Sequence, residues 1–139
     1  MPSLYIIDTN VLVAGLVTKD GASPTARLVD AMLDGAIFYL LSPALLQEYR
    51  SVLLRPRIAK LHGLNSGEID FLLTDITGNA IWRESEETSS SPPPDPGDAH
   101  LWNLLHLEPG AILITGDRLL IANPLGGRLL ITPADYFLS

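Results

Sequence analysis

The chain alternates short, continuous apolar runs with longer stretches in which apolar residues recur every three or four positions. Leu4-Tyr5-Ile6-Ile7, Ile37-Phe38-Tyr39-Leu40-Leu41 and Ala111-Ile112-Leu113-Ile114-Thr115 are short and apolar throughout, which predicts strands buried on both faces. Arg128 to Ile131, after the turn Gly126-Gly127, reads as a further strand, and Ala80-Ile81-Trp82 as a weaker one. The intervening stretches carry helix signals. Ser23-Pro24, Ser42-Pro43 and Thr132-Pro133 each set a hydroxyl cap before a proline suited to a first turn. The first of these predicts a helix running to about Asp34-Gly35, where glycine stops it. The second predicts a helix with Leu45, Tyr49, Val52 and Leu53 on one face, broken at Arg55-Pro56, with a short helix from Ile58 to Leu61 after it. Val11 to Val17 reads as a short helix, and Asn65-Ser66 opens another with Ile69, Leu72, Leu73 and Ile76 at helical spacing. Asp95-Pro96 opens a helix through Leu107 that places Ala99, Trp102, Leu105 and His106 near the core, and a short helix follows Gly116-Asp117.

Strands alternating with helices predict an α/β domain with a mainly parallel central sheet and helices on both faces. There is no internal repeat and no linker, so residues 1–139 are expected to form a single domain. The stretch at about 84–94 runs from acids through Thr and Ser to three prolines, cannot pack a core, and is expected to be a flexible surface loop.

In such sheets, sites gather beyond the carboxyl ends of the strands. Asp8 directly follows the first apolar run, and Asp117 follows Thr115 after one glycine. If those two strands are neighbours, both carboxylates face one crevice. The plainer reading is that each Asp caps the following helix by accepting backbone N–H groups. Glu48 lies between Leu45 and Val52 on one helical face, and a carboxylate in an apolar stripe is costly unless it is paired or binds metal. Arg27 and Arg83 are candidate cationic partners that would make it a structural ion pair. Asp98 follows Asp95 by three residues, a spacing that also suits a capped helix start and its dipole.

Composition narrows the choice. With 9 Lys and Arg against 16 Asp and Glu, the net charge of −7 excludes a protein that grips duplex nucleic acid by blanket electrostatics. It leaves open one that reaches phosphate through cations. The chain has no cysteine, so thiolate metal sites and disulfides are excluded, and His62, His100 and His106 are not grouped as a zinc site requires. No Gly-rich run ending in Lys-Ser/Thr is present, which excludes a P-loop. No apolar run approaches the roughly 18–20 residues that span a bilayer. The N-terminus lacks the basic region of a signal peptide, and a cytoplasmic location is expected.

Taken together, Asp8-Thr9-Asn10 after an apolar strand, a mid-helix Glu48, Asp98-Ala99 opening a helix and Thr115-Gly116-Asp117 after a late strand resemble the PIN-domain nucleases, in order and over nearly the whole chain. The resemblance implies a PIN-like three-layer α/β/α sandwich. It implies that Asp8, Glu48, Asp98 and Asp117 form an acidic quartet binding Mg²⁺ or Mn²⁺, as one or two ions, with Asn10 and Thr115 as polar supports and Asp95 as an accessory acid. It implies hydrolysis of single-stranded RNA, with Glu48 orienting the attacking water or ligating directly, to leave 5′-phosphate and 3′-hydroxyl ends. The ending Thr132-Pro133 resembles the toxin components of toxin–antitoxin pairs in that family, which implies a homodimer silenced by an antitoxin protein. Leu16, Val17, Leu53 and Leu54 are expected either as apolar surface for such contacts or as core. Arg55, Arg57 and Lys60 are candidate RNA contacts, the alternative being a solvated helix end favoured by the dipole. Two features depart from the pattern: Leu119 stands where many relatives carry a further acid, and the loop at 84–94 is long and acidic. Leu119 and the net acidity keep a second reading open, a catalytically degenerate PIN-like domain that binds RNA or protein.

Overall fold

The computed structural model describes residues 2–84 and 93–138. Most of the stretch expected to be a flexible loop at about 84–94 lies outside the described residues. Five strands, β1 (Tyr5–Ile7), β2 (Tyr39–Leu41), β3 (Ile81–Trp82), β4 (Ile112–Ile114) and β5 (Leu130–Ile131), form one sheet in the order β3-β2-β1-β4-β5, with every pairing parallel. The chain lays β2 and β3 outward on one side of β1 and then crosses to the other side for β4 and β5. The order therefore reverses between β1 and β4, and at such a point the connections leaving the two strand ends diverge and open a crevice. Helices complete an α/β/α sandwich: α1 (Thr9–Val17), α2 (Pro24–Leu33), α3 (Pro43–Leu53), α4 (Pro56–His62), α5 (Ser66–Asn79), α6 (Ala99–Leu107), α7 (Arg118–Ala122) and α8 (Pro133–Tyr136). The expected helix from Asp95 begins as a 3₁₀ turn, Pro96–Asp98, that runs into α6.

The apolar runs are strands because they are covered on both faces. Tyr39, Leu40 and Leu41 are all fully buried, as are Ile6, Ile7, Leu113 and Ile114. Each strand is shorter than its apolar run: Phe38 is half-exposed before β2, and Ala111 and Thr115 flank β4 without joining it. The predicted caps form. Ser23, Ser42 and Thr132 accept from Ala26 N, Leu45 N and Asp135 N at the starts of α2, α3 and α8, and Asn65 and Glu68 close a capping box on α5. Leu45, Tyr49 and Leu53 line the inner face of α3 and are completely buried, each leucine contributing about 1.5–3 kcal/mol through its removal from water. Leu53 is thus core, not contact surface, whereas Leu16, Val17 and Leu54 are only partly buried. On α6, Trp102 and Leu105 are buried as expected, but Ala99 and His106 are exposed, because the buried face carries Leu101 and Leu104 instead.

Two tyrosine hydroxyls pin helices to the sheet layer. Tyr39 donates to Ile76 O of α5 and Tyr49 to Ile7 O at the end of β1, both at 2.5 Å. The second bond fixes α3, and with it Glu48, against the strand that ends in Asp8. Arg128 donates to Leu105 O and Glu108 O at the C-terminal end of α6 and to Ala111 O just before β4, tying the helix end to the start of the strand.

Helix α1, which leaves β1 at the crevice, lies hard against α2 at Gly15. A Cβ there would stand 2.5 Å from Val29 Cγ2 and 2.6 Å from the backbone oxygen of Thr25. Because the second neighbour is backbone, relief requires the helices to move apart. Gly15→Ala is expected to destabilise the fold by about 1–3 kcal/mol, as overpacking does in a filled core, measured by urea denaturation. An unchanged midpoint would contradict the close approach.

Candidate active site

Register delivers the first two groups. Ile7 pairs with Ile114, so the residues that follow, Asp8 and Thr115, emerge side by side at the carboxyl end of the sheet. Asp8 N donates to Ile114 O at 2.9 Å, and Thr115 Oγ1 donates to Asp8 Oδ2 at 2.7 Å. The same threonine hydroxyl accepts from Asp117 N at 3.0 Å and so couples the two ends. Asn10 completes the frame, donating from Nδ2 to Asp8 Oδ2 at 3.2 Å and accepting at Oδ1 from Gly116 N at 3.0 Å. Its amide needs a donor toward Asp8 and an acceptor toward Gly116, which aspartate cannot supply at both ends.

Asp8 and Asp117 also cap helices, so the plain reading and the functional one hold together. Asp8 Oδ1 accepts from Thr9 N at 2.8 Å, and Asp117 Oδ1 accepts from Leu119 N at 2.9 Å and Leu120 N at 3.4 Å. The α7 cap uses one Asp117 oxygen and does not occupy the other. Asp8 is nearly inaccessible, at 4% exposure, and burial pushes its carboxyl above the ordinary range against the lowering by Thr115 and Thr9.

Glu48 has neither of the expected cationic partners. Arg27 lies over the Phe137 ring, 4.0 Å from its centroid, and Arg83 pairs with Glu108 at 2.6 Å. Glu48 Oε1 instead accepts from Thr9 Oγ1, and Oε2 lies 3.1 Å from His100 Nε2. The bond to His100 is the leading cause of a lowered Glu48 pKa, with Arg55 a weaker contributor. Sequence reasoning missed Thr9 and His100 as partners. The signal that could have found them was the polar demand of a glutamate in an apolar stripe, since His100 follows Asp98 by two residues on α6.

Asp8, Thr9, Asn10, Glu48, Asp95, Asp98 and Asp117 line one cavity of about 410 Å³, whose other wall is Val13, Ala14, Val17, Val52 and Leu61. Asp95 caps the 3₁₀ turn, accepting from Gly97 N at 2.9 Å, while Asp98 makes no cap bond. Asp98 is pushed up to about 6 by burial and then by Asp8, Asp95, Glu48 and Asp117. Asp98 is thus within electrostatic reach of each of the other four carboxylates. Of the basic candidates, Arg55 acts on Glu48 electrostatically, while Arg57 and Lys60 are exposed on α4 and do not line the cavity. Lys60 sits in the last turn of α4, where the dipole favours a cation; Arg57 sits in the first turn, where it does not.

A family model described as PIN domain matches residues 5–119. The chain belongs to the PIN-domain family. The matched span runs from β1 into α7 and contains every predicted site residue, while Thr132-Pro133 lies beyond it. No curated protein matches the chain. PIN domains are in general metal-dependent nucleases, so this cavity must be tested against a cation. The donors are oxygens of carboxylates and hydroxyls, which suit a hard divalent ion. Yet among the described residues no three His, Asp or Glu side chains are close enough to form a ready ligand set. The residues present thus suit a divalent cation by donor chemistry, without standing as a ready ligand set among the described residues.

Asp98 gives a pH prediction for the metal-free protein. Its folded pKa of about 6 exceeds the ordinary 3.8, so its contribution to stability is intact below pH 4 and is lost as pH rises through 6. Asp98→Asn is expected to match wild type near pH 4 and to exceed it at pH 8 by about 1–2 kcal/mol, after allowance for solvent screening of a half-buried group. Chemical denaturation at the two pH values checks this; equal stability at pH 8 would contradict it.

Proposed function

We propose that this PIN-domain protein is a ribonuclease that uses Mg²⁺ or Mn²⁺ to hydrolyse single-stranded RNA inside the cell, as the toxin of a toxin–antitoxin pair. The observation that carries the reading is the gathering of Asp8, Glu48, Asp98 and Asp117 around one cavity at the point where strand order reverses. Asp8, Asp98 and Asp117 are the residues that would hold one or two ions, with Glu48 as a further ligand or a holder of bound water and Asp95 accessory to them. A bound divalent ion supplies charge neutralisation for the phosphate and acidifies water to a nucleophile at neutral pH.

The chain's own groups have separable duties. Thr115 and Asn10 fix the Asp8 carboxylate and relate it to the Gly116-Asp117 turn, so that the two sides of the crevice keep their spacing. Glu48, held on α3, presents its carboxylate to the same cavity, where it orients the attacking water or would ligate the ion directly. The apolar wall of Val13, Val17, Val52 and Leu61 keeps bulk water from one side of the reacting phosphate. Arg55, Arg57 and Lys60 receive the RNA backbone along α4, with Arg55 nearest the acids. A single strand suits a cavity of this size because its backbone can bend into it. Cleavage leaves 5′-phosphate and 3′-hydroxyl ends. Leu16, Val17 and Leu54 supply apolar surface for a second copy or for an antitoxin protein, whose segment would cover the cavity mouth.

The absence of a ready ligand set among the described residues, together with Leu119, favours one other reading: a degenerate PIN domain that binds RNA or protein without cutting. A cleavage assay separates the two. Purified protein with Mn²⁺ is expected to cut single-stranded RNA, and Asp8→Asn or EDTA is expected to lower the rate by more than about 100-fold, beyond the 10–100-fold typical of outer-sphere partners. Activity that survives both treatments, or none in wild type at any Mn²⁺ concentration, would overturn the proposal.

A further inference from the structure

The geometry points to His100 as a positioning residue that presets the Glu48 carboxylate toward the cavity, acting with Thr9 as a two-point clamp; this rests on the reading of the cavity as a cation-dependent site. Each Glu48 oxygen has its own holder, Thr9 Oγ1 on Oε1 and His100 Nε2, at 3.1 Å, on Oε2. The three residues come from three elements: Thr9 opens α1, Glu48 sits mid-way along α3 and His100 lies in the first turn of α6. The clamp therefore bridges the helix leaving β1, the helix leaving β2 and the helix that precedes β4.

His100 meets the site through one nitrogen, Nε2, which faces Glu48. A carboxylate offers only acceptors, so Nε2 must carry the hydrogen. The other ring nitrogen, Nδ1, is buried and has no hydrogen-bond partner among the described residues. The ring's Nε2 goes to the acid of the site, from a side chain only 14% exposed. A rigid ring also has few torsions to order, so it holds the carboxylate with a smaller entropic loss than a flexible amine would. Its position two residues after Asp98 means that one short segment carries both a site acid and the holder of another.

The test uses the full chain and Mn²⁺ titration by calorimetry. His100→Ala is expected to weaken Mn²⁺ binding by about 10–100-fold, the usual range for a group that orients a ligand, and His100→Gln, which restores a donor near the Nε2 position, to recover most of it. In a Glu48→Gln background His100→Ala is expected to have no further effect, because its influence runs through Glu48. Unchanged affinity in a folded His100→Ala variant, or an undiminished effect in the Glu48→Gln background, would sink the inference. Long-range ¹H–¹⁵N spectra of the metal-free wild type give a second readout that needs no variant of His100. A ring protonated at Nε2 whose signal moves in Glu48→Gln supports the clamp, and one protonated only at Nδ1 overturns it. If wild type cuts RNA and binds Mn²⁺ while these results fail, the inference falls alone; if wild type binds no Mn²⁺, the cation-dependent reading falls, and the spectra still decide whether His100 holds Glu48.

Discussion

Parallel pairing of β1 with β4 sets the terms for the rest of the molecule. It aligns Ile7 with Ile114, so the next residue on each strand is a polar one facing the same crevice, and Thr115 can donate to Asp8 at 2.7 Å. A one-residue slip in that register would turn one of the two away. The two strands are far apart in sequence, and what holds their register is apolar: Ile6, Ile7, Leu113 and Ile114 have no exposed surface at all. The hydrophobic core thereby determines which carboxylates meet.

The site is a concentration of like charge. Asp98 records this most directly, raised to about 6 by burial and by four neighbouring acids. Asp8 and Glu48 are held by a different device. Their oxygens are engaged by Thr9, Asn10, Thr115 and His100, so their positions are fixed by neutral donors and one imidazole, not by arginine. Guanidinium groups are spent elsewhere, Arg27 on an aromatic ring, Arg83 on Glu108 and Arg128 on helix-end carbonyls. An acidic cavity left unpaired by nearby arginines is one in which a divalent cation has electrostatic reason to bind.

Much of this was legible in the residues. Uniform apolar runs marked β1, β2 and β4, and paired Ser-Pro and Thr-Pro starts marked α2, α3 and α8, because these signals are local and depend on backbone sterics and caps. Asp8 and Asp117 were legible as strand-end acids, and Glu48 as a carboxylate that required a partner. The partner itself was not. That His100, and neither Arg27 nor Arg83, meets Glu48 depends on how α6 lies beside α3, a juxtaposition with no sequence-local cause. Leu53 was ambiguous for a related reason: its burial depends on which neighbours cover α3, and the helical period alone left core and contact surface equally open. The shortening of the strands relative to their apolar runs likewise reflects where pairing ends, not where hydrophobicity does.

The central claim is that residues brought together by β1–β4 pairing jointly hold a divalent cation. Anomalous diffraction from crystals soaked in Mn²⁺ tests it most directly. The account predicts a peak inside the cavity within ligand distance of Asp8, Asp98 and Asp117 oxygens, accompanied by small rotations of those side chains. A cavity without a peak at saturating Mn²⁺, or ions bound only at surface acids such as Asp70 or Asp135, would contradict it.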